Sequence, residues 1–158
     1  MPDMLVKLYD LPPLSSVTTV GISIRPALAP EKRLVVDWVG RHFGNGWASE
    51  TEVTFARTPV SCFIAVEDQE IRGFACYDAI KPNFFGPTGV DERLRGQGIG
   101  KALLLATLHA QAAQGYGYSI IGGVGPAEFY RKAVGAILIE GSDPGVYSGL
   151  LRDIADTR

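Results

Sequence analysis

Apolar positions in this chain repeat with two different periods, and the changes of period mark its elements. After Pro30, Leu34, Val35, Trp38 and Val39 form one helical stripe, with Glu31, Lys32 and Asp37 facing away. The pattern predicts a helix through Glu31–Phe43, with Pro30 suited to its start. Gly44-Asn45-Gly46 breaks it, and a second short helix is predicted over Ala48–Arg57, with Ser49 as cap and Glu52 three residues on. Val60–Val66 then runs apolar and β-branched without alternation, as a strand covered on both faces does. Glu67–Glu70 is the turn to a return strand, Ile71–Tyr77. Phe84–Val90 is a further strand, and Ile99–Gln114 is the strongest helix, closed by Gly115 and Gly117. Tyr118–Val124 is a strand, a helix follows Gly125-Pro126 to Val134, and Ala136–Glu140 and Val146–Leu151 are two last strands. Ahead of all these, Met4–Tyr9 is predicted as an edge strand and Gly21–Arg25 as a short strand. Hairpins mixed with strand–helix–strand units make an α+β fold with a mixed sheet.

Composition narrows the class. The chain has 158 residues, 46% hydrophobic and 20% charged, which predicts one globular domain over residues 1–158. No apolar run approaches the roughly 20 residues of a membrane helix, and the first residues lack a leader pattern, so a soluble cytoplasmic protein is expected. A net charge of −2 argues against a nucleic-acid face and slightly favours a cationic small substrate. Cys62 and Cys76 fall on neighbouring predicted strands without metal-ligand spacing, so reduced core thiols and no metal are expected.

The chemistry concentrates where the Phe84–Val90 strand meets the long helix. Glycines fall at 96, 98 and 100, beside Arg93, Arg95 and Lys101. Glycine lets backbone approach a ligand closely, and the first N–H groups of the helix lack intrahelical partners. Together with the helix dipole they suit a pyrophosphate. The P-loop template fails, because Arg95 stands where its first glycine belongs and Ala102 follows Lys101. The dinucleotide template fails because Lys101 replaces its third glycine. The pattern R/Q-x-x-G-x-G/A is met by Arg95, Gly98 and Gly100, with Val90 five residues before Arg95.

In this the chain resembles the GNAT superfamily of acyl-CoA N-acyltransferases. Ala127-Glu128-Phe129-Tyr130, Ile22–Ala27, Phe63–Glu67 and Ile71–Ala75 resemble further segments of that family, and the likeness covers about residues 21–151. It implies a three-layer α/β/α fold around a mixed, mostly antiparallel sheet of six to seven strands. The sheet would splay between parallel strands near 84–90 and 118–124. It implies acetyl-CoA as co-substrate, with the pantetheine arm on Thr88, Gly89 and Val90. The pyrophosphate would lie on Arg95, Gly96, Gln97, Gly98, Ile99, Gly100 and Lys101.

The implied reaction is direct transfer of an acetyl group to a primary amine of a small molecule or peptide. Tyr130 matches the family's general acid, the alternative being a tyrosine merely packed at a helix end. Gly135 follows it by five residues rather than four, and Gly122-Gly123-Val124-Gly125 stands where an asparagine is common. For the base, Asp78 at the end of the third strand is the candidate, with Asp91 and Glu92 read as solvent-facing and a water relay as another route. His42 and Trp47, from the loop that roofs the acceptor site in relatives, and Tyr77 are candidate acceptor contacts. Phe84 and Phe85 either line that cleft, favouring an apolar or aromatic amine, or alternate across the sheet. His109 is read as a helix-surface residue. The family's pairing of final strands between subunits implies a homodimer. A non-catalytic acyl-CoA-binding module is the alternative function.

Overall fold

The computed structural model describes residues 1–152. Seven strands, β1 (Met4–Lys7), β2 (Ser23–Pro26), β3 (Cys62–Glu67), β4 (Glu70–Tyr77), β5 (Phe84–Val90), β6 (Tyr118–Ile121) and β7 (Ile137–Leu138), form one sheet. The helices are α1 (Lys32–Phe43), α2 (Asn45–Thr54), α3 (Ile99–Ala113) and α4 (Ala127–Val134). The strand order is β2-β3-β4-β5-β6-β1-β7, antiparallel except for the parallel β5–β6 pair. This is the expected three-layer α/β/α architecture.

The unbroken apolar runs of β3 and β4 follow from burial on both faces. Cys62, Ile64, Phe74 and Cys76 point to one core with Val35, Trp38 and Val39 of α1. Ala65 and Ala75 point to the other, with Leu103, Leu104 and Leu108 of α3 and Ala133 and Val134 of α4. The period of two sends alternate residues to opposite layers. Cys62 and Cys76 face each other in register as buried free thiols. His109 is tied down, its Nε2 at 2.8 Å from the Pro12 carbonyl, which fastens the lead-in segment to α3.

Several sequence expectations are corrected. The first strand is not an edge, because β1 lies between β6 and β7. Val146–Leu151 forms no strand; its start is a short 3-10 turn over Gly145–Tyr147, and β1 already occupies the free side of β6. Helix α2 begins three residues early, since Gly44 at φ 100° lets the chain leave α1 directly into the next helix, and Ser49 lies inside it. Leu34 is 69% exposed rather than part of the buried stripe. Among the described residues, no helix is long and apolar enough to cross a membrane, and no cluster of three or more His, Cys, Asp or Glu is placed to hold a metal.

One contact sets the distance between α1 and β5. A Cβ built on Gly89 would stand 2.4 Å from Cζ of Phe43, with its ring already packed on Trp38 and Phe74. Gly89→Ala is therefore expected to lower stability by about 1–3 kcal/mol through overpacking. The measurement is a fall in the urea midpoint at unchanged slope.

Candidate active site

Strands β5 and β6 pair only at Phe84 with Ile120 and Phe85 with Ile121. Beyond that, β6 ends and the chain turns away through Gly122 and Gly123, while β5 runs on to Val90. The sheet opens at this point. The unpaired edge of Gly86–Val90 faces a groove of about 640 Å³, whose other wall is Gly122–Pro126, Phe129 and Tyr130. The glycines make the opening. A Cβ on Gly122 would meet Phe84 at 3.1 Å and the Tyr147 hydroxyl at 3.4 Å, and Gly123 sits at φ 57°.

At one end of the groove lies the glycine loop. Gly96 and Gly98 have φ 84° and 82°, the left-handed region that glycine reaches without steric cost. A Cβ on either would meet nothing within 4 Å, and one on Gly100 only Val90 at 3.7 Å. Gly98 caps α3 with no side-chain cap bond. Among the described residues, no protein acceptor takes the N–H groups of Gly96, Gln97, Gly98, Ile99, Gly100 or Lys101. Arg95 and Gly100 line the groove, while the Ile99 side chain is buried in the core and holds α3 in place. Asp91 is kept out of this chemistry. It accepts from Arg93 at 3.1, 3.3 and 3.0 Å through the backbone N, Nε and Nη2, and those bonds hold its carboxyl down at about 2.

Thr88 donates its hydroxyl to the Phe74 carbonyl at 3.0 Å and so fixes β5 against β4. Tyr130 lines the groove wall between Phe85 and Phe129. It is only 6% exposed, and burial pushes its hydroxyl up to about 12. Gly135, at φ 66°, ends α4 with its N–H on the Arg131 carbonyl at 3.0 Å. The longer spacing to glycine thus leaves Tyr130 facing the groove.

The other predicted residues divide. Trp47 and Phe85 line the groove, and also a second chamber of about 610 Å³ beside it. Phe84 alternates away and lines neither. Asp78, proposed from sequence as base, sits at φ 53° in the β4–β5 turn. Its Oδ1 accepts from the Asn83 N–H at 2.7 Å and Oδ2 from the Tyr116 hydroxyl at 3.5 Å, so its carboxylate is spent on the turn outside both cavities. Tyr77 is buried with its hydroxyl accepting from Gln114 at 3.0 Å, again outside both. His42 stacks on Trp38 at 4.2 Å, donates Nδ1–H to the Trp38 carbonyl at 2.9 Å, and faces a different cleft with Arg25 and Arg72.

Glu50 and Tyr147, which sequence reading passed over, stand in the second chamber. A usable signal was present: Glu50 is three residues after Trp47 on α2, and so on the same helical face.

Comparison with known proteins bears on the fold and the family. Residues 58–133 match the acetyltransferase (GNAT) domain family. The fold is similar to a GCN5-related N-acetyltransferase from Sphaerobacter thermophilus, with 23% identity, a TM-score of 0.63, and coverage of 87% of this chain and 48% of that one. It is similar also to the glucosamine N-acetyltransferase region of a fungal multi-domain β-N-acetylglucosaminidase, with 14% identity, TM-score 0.71, and 87% and 19% covered. A GCN5-related N-acetyltransferase from Kribbella flavida is a third, with 16% identity, TM-score 0.59, and 87% and 53% covered. The chain spans about half or less of the length of these structures. No curated protein matches its sequence.

Proposed function

From a chain with the GNAT fold, whose residues 58–133 carry the GNAT acetyltransferase domain, we propose that it transfers an acetyl group from acetyl-CoA to a primary amine. The single observation behind this is the pairing of bare amides at the start of α3 with an opened strand edge along the same groove. The amides of Gly96–Lys101 suit the pyrophosphate, with Arg95 adding charge. The free edge of Gly86–Val90 suits the amide-bearing arm, which can pair with it as an added strand. Bound there, acetyl-CoA supplies a thioester carbonyl for the amine to attack.

The chain's residues then have two proton tasks. An alkylamine with a pKa of about 10.4 is neutral in only about 1 molecule in 2,500 at pH 7, which costs about 4–5 kcal/mol unless a base is at hand. A departing thiolate wants a proton. Tyr130 keeps its own at physiological pH, since burial lifts its hydroxyl to about 12. The same desolvation raises the basicity of a thiolate formed beside it, which narrows the gap for transfer.

Calorimetry tests the first half of this reading, and thiol release across a panel of primary amines tests the second. Acetyl-CoA is expected to bind at micromolar strength, and at least one amine to release CoA faster than buffer. Binding without release by any amine would leave the chain as an acyl-CoA-binding module; absence of binding would remove the reading entirely.

A further inference from the structure

Resting on the acyl-transfer reading of the groove, we propose that Glu50 receives the acceptor: it binds the ammonium of a primary amine with an apolar body and takes its proton. The second chamber shares Trp47, Phe85, Gly86, Pro87, Gly122 and Gly123 with the groove that holds Tyr130, so an occupant of one meets an occupant of the other. Ile80, Pro144 and Leu150 complete its largely apolar walls.

The polar side chains lining it are Ser49, Glu50, Asp143 and Tyr147. Asp143 is paired with the N-terminal ammonium at 2.8 Å. The Tyr147 hydroxyl lies beside the Glu50 carboxylate, and Asp3 stands behind Tyr147, where it accepts from the Gly123 N–H at 2.9 Å. Glu50 itself has no ion pair among the described residues, and its Oε1 is closed from solvent with no hydrogen-bond partner. A buried carboxylate oxygen without a donor is costly to keep. An ammonium in the chamber supplies the missing charge, and a turn of the carboxylate about its last torsion gives Oε1 the missing donor, while the aromatic walls take the carbon body.

Burial raises the Glu50 carboxyl above the usual carboxylate range, against a smaller opposing effect of the Tyr147 hydroxyl. That brings it toward the pH at which a base accepts a proton and still releases it. One proton passes from R–NH3⁺ to Glu50, leaving R–NH2. The nitrogen then forms its C–N bond as the C–S bond breaks. The thiolate takes the Tyr130 proton, the second nitrogen proton restores Tyr130, and Glu50 releases its proton to solvent.

The test uses phenethylamine as the probe, with methylamine and 3-phenylpropionate as comparisons, binding being followed by tryptophan fluorescence without acetyl-CoA. Phenethylamine is expected to bind, methylamine at least tenfold more weakly, and phenylpropionate not at all. Glu50→Gln is expected to weaken phenethylamine at least tenfold at unchanged acetyl-CoA affinity, which also shows that the variant is folded. In the pH profile of phenethylamine-dependent thiol release, the rate falls on the acid side as Glu50 protonates. That limb is expected to move to higher pH in Tyr147→Phe, and in Glu50→Gln to give way to a fall set by the amine's own ionisation, at about pH 10. The inference is overturned if Glu50→Gln binds phenethylamine as well as the parent or keeps the acid limb at the parent's pH, or if the parent does not bind the amine. If phenethylamine binds through Glu50 while acetyl-CoA does not bind, the acyl-transfer reading falls and the amine site stands.

Discussion

Gly100→Trp is expected to weaken acetyl-CoA binding by about 100-fold or more and to leave the fold intact, the largest effect on cofactor binding expected of any single change. Gly100 is the second residue of α3 and lines the groove. A Cβ there meets only Val90 at 3.7 Å, so the substitution begins without a clash, on a residue that lines the groove where the pyrophosphate is proposed to lie. Its backbone is helical rather than left-handed, and glycine costs a helix about 1 kcal/mol relative to alanine, so stability is expected to hold or rise slightly. Bonds from amides to a charged phosphate contribute about 1.5–3 kcal/mol each, and blocking two of them weakens binding by about 100-fold or more. Calorimetry with acetyl-CoA, alongside a thermal melt, reads both halves. Parent-like affinity at a parent-like melting temperature would show that the loop does not hold the nucleotide. Gly98→Trp is expected to lose binding as well, but with strain added at φ 82°, which makes it the less clean experiment.

Tyr130→Phe is expected to lower turnover by about 100-fold, the lower end of what a positioned proton donor contributes, with little change in acetyl-CoA affinity. The ring is held between Phe85 and Phe129, so phenylalanine keeps the packing and removes only the hydroxyl. Single-turnover acyl transfer with a reactive amine separates this from slow product release. A thioester with a much more acidic leaving thiol is expected to restore much of the loss, since it needs no donor. An unchanged rate with acetyl-CoA would take Tyr130 out of the chemistry.

The sheet and the glycine loop at the head of α3 were legible because they are written in local signals. Continuous apolar strands, a glycine loop and a long amphipathic helix each obey a short period, and β5 appears over the predicted residues. The lining of the second chamber was not legible, because it is assembled from side chains far apart in sequence. Asp78 ends a strand near the expected cleft, but a positive φ turns it into the β4–β5 connection, where the Asn83 N–H claims it. His42 lies in the last turn of α1 rather than in the loop after it, where it stacks on Trp38 and faces the cleft of Arg25 and Arg72. Glu50 looks like any surface glutamate on a short helix until Tyr147 folds over Gly122 and Gly123 and closes it in. The end of the chain was misread for a related reason. Its apolar residues at 146–151 suggest a strand, but no ladder position remained beside β6 once the first strand had taken it.

That first strand also sets a schedule. Met4 pairs with Ile121 and Leu5 with Ile137, so this strand finds its neighbours only once the chain through Ile137 has been made. Pairings of such long sequence separation close late, because the loop entropy falls due before the contact is made. Until then the nascent β2–β5 meander carries an open ladder on its growing side, the stage at which a chaperone would find most to hold.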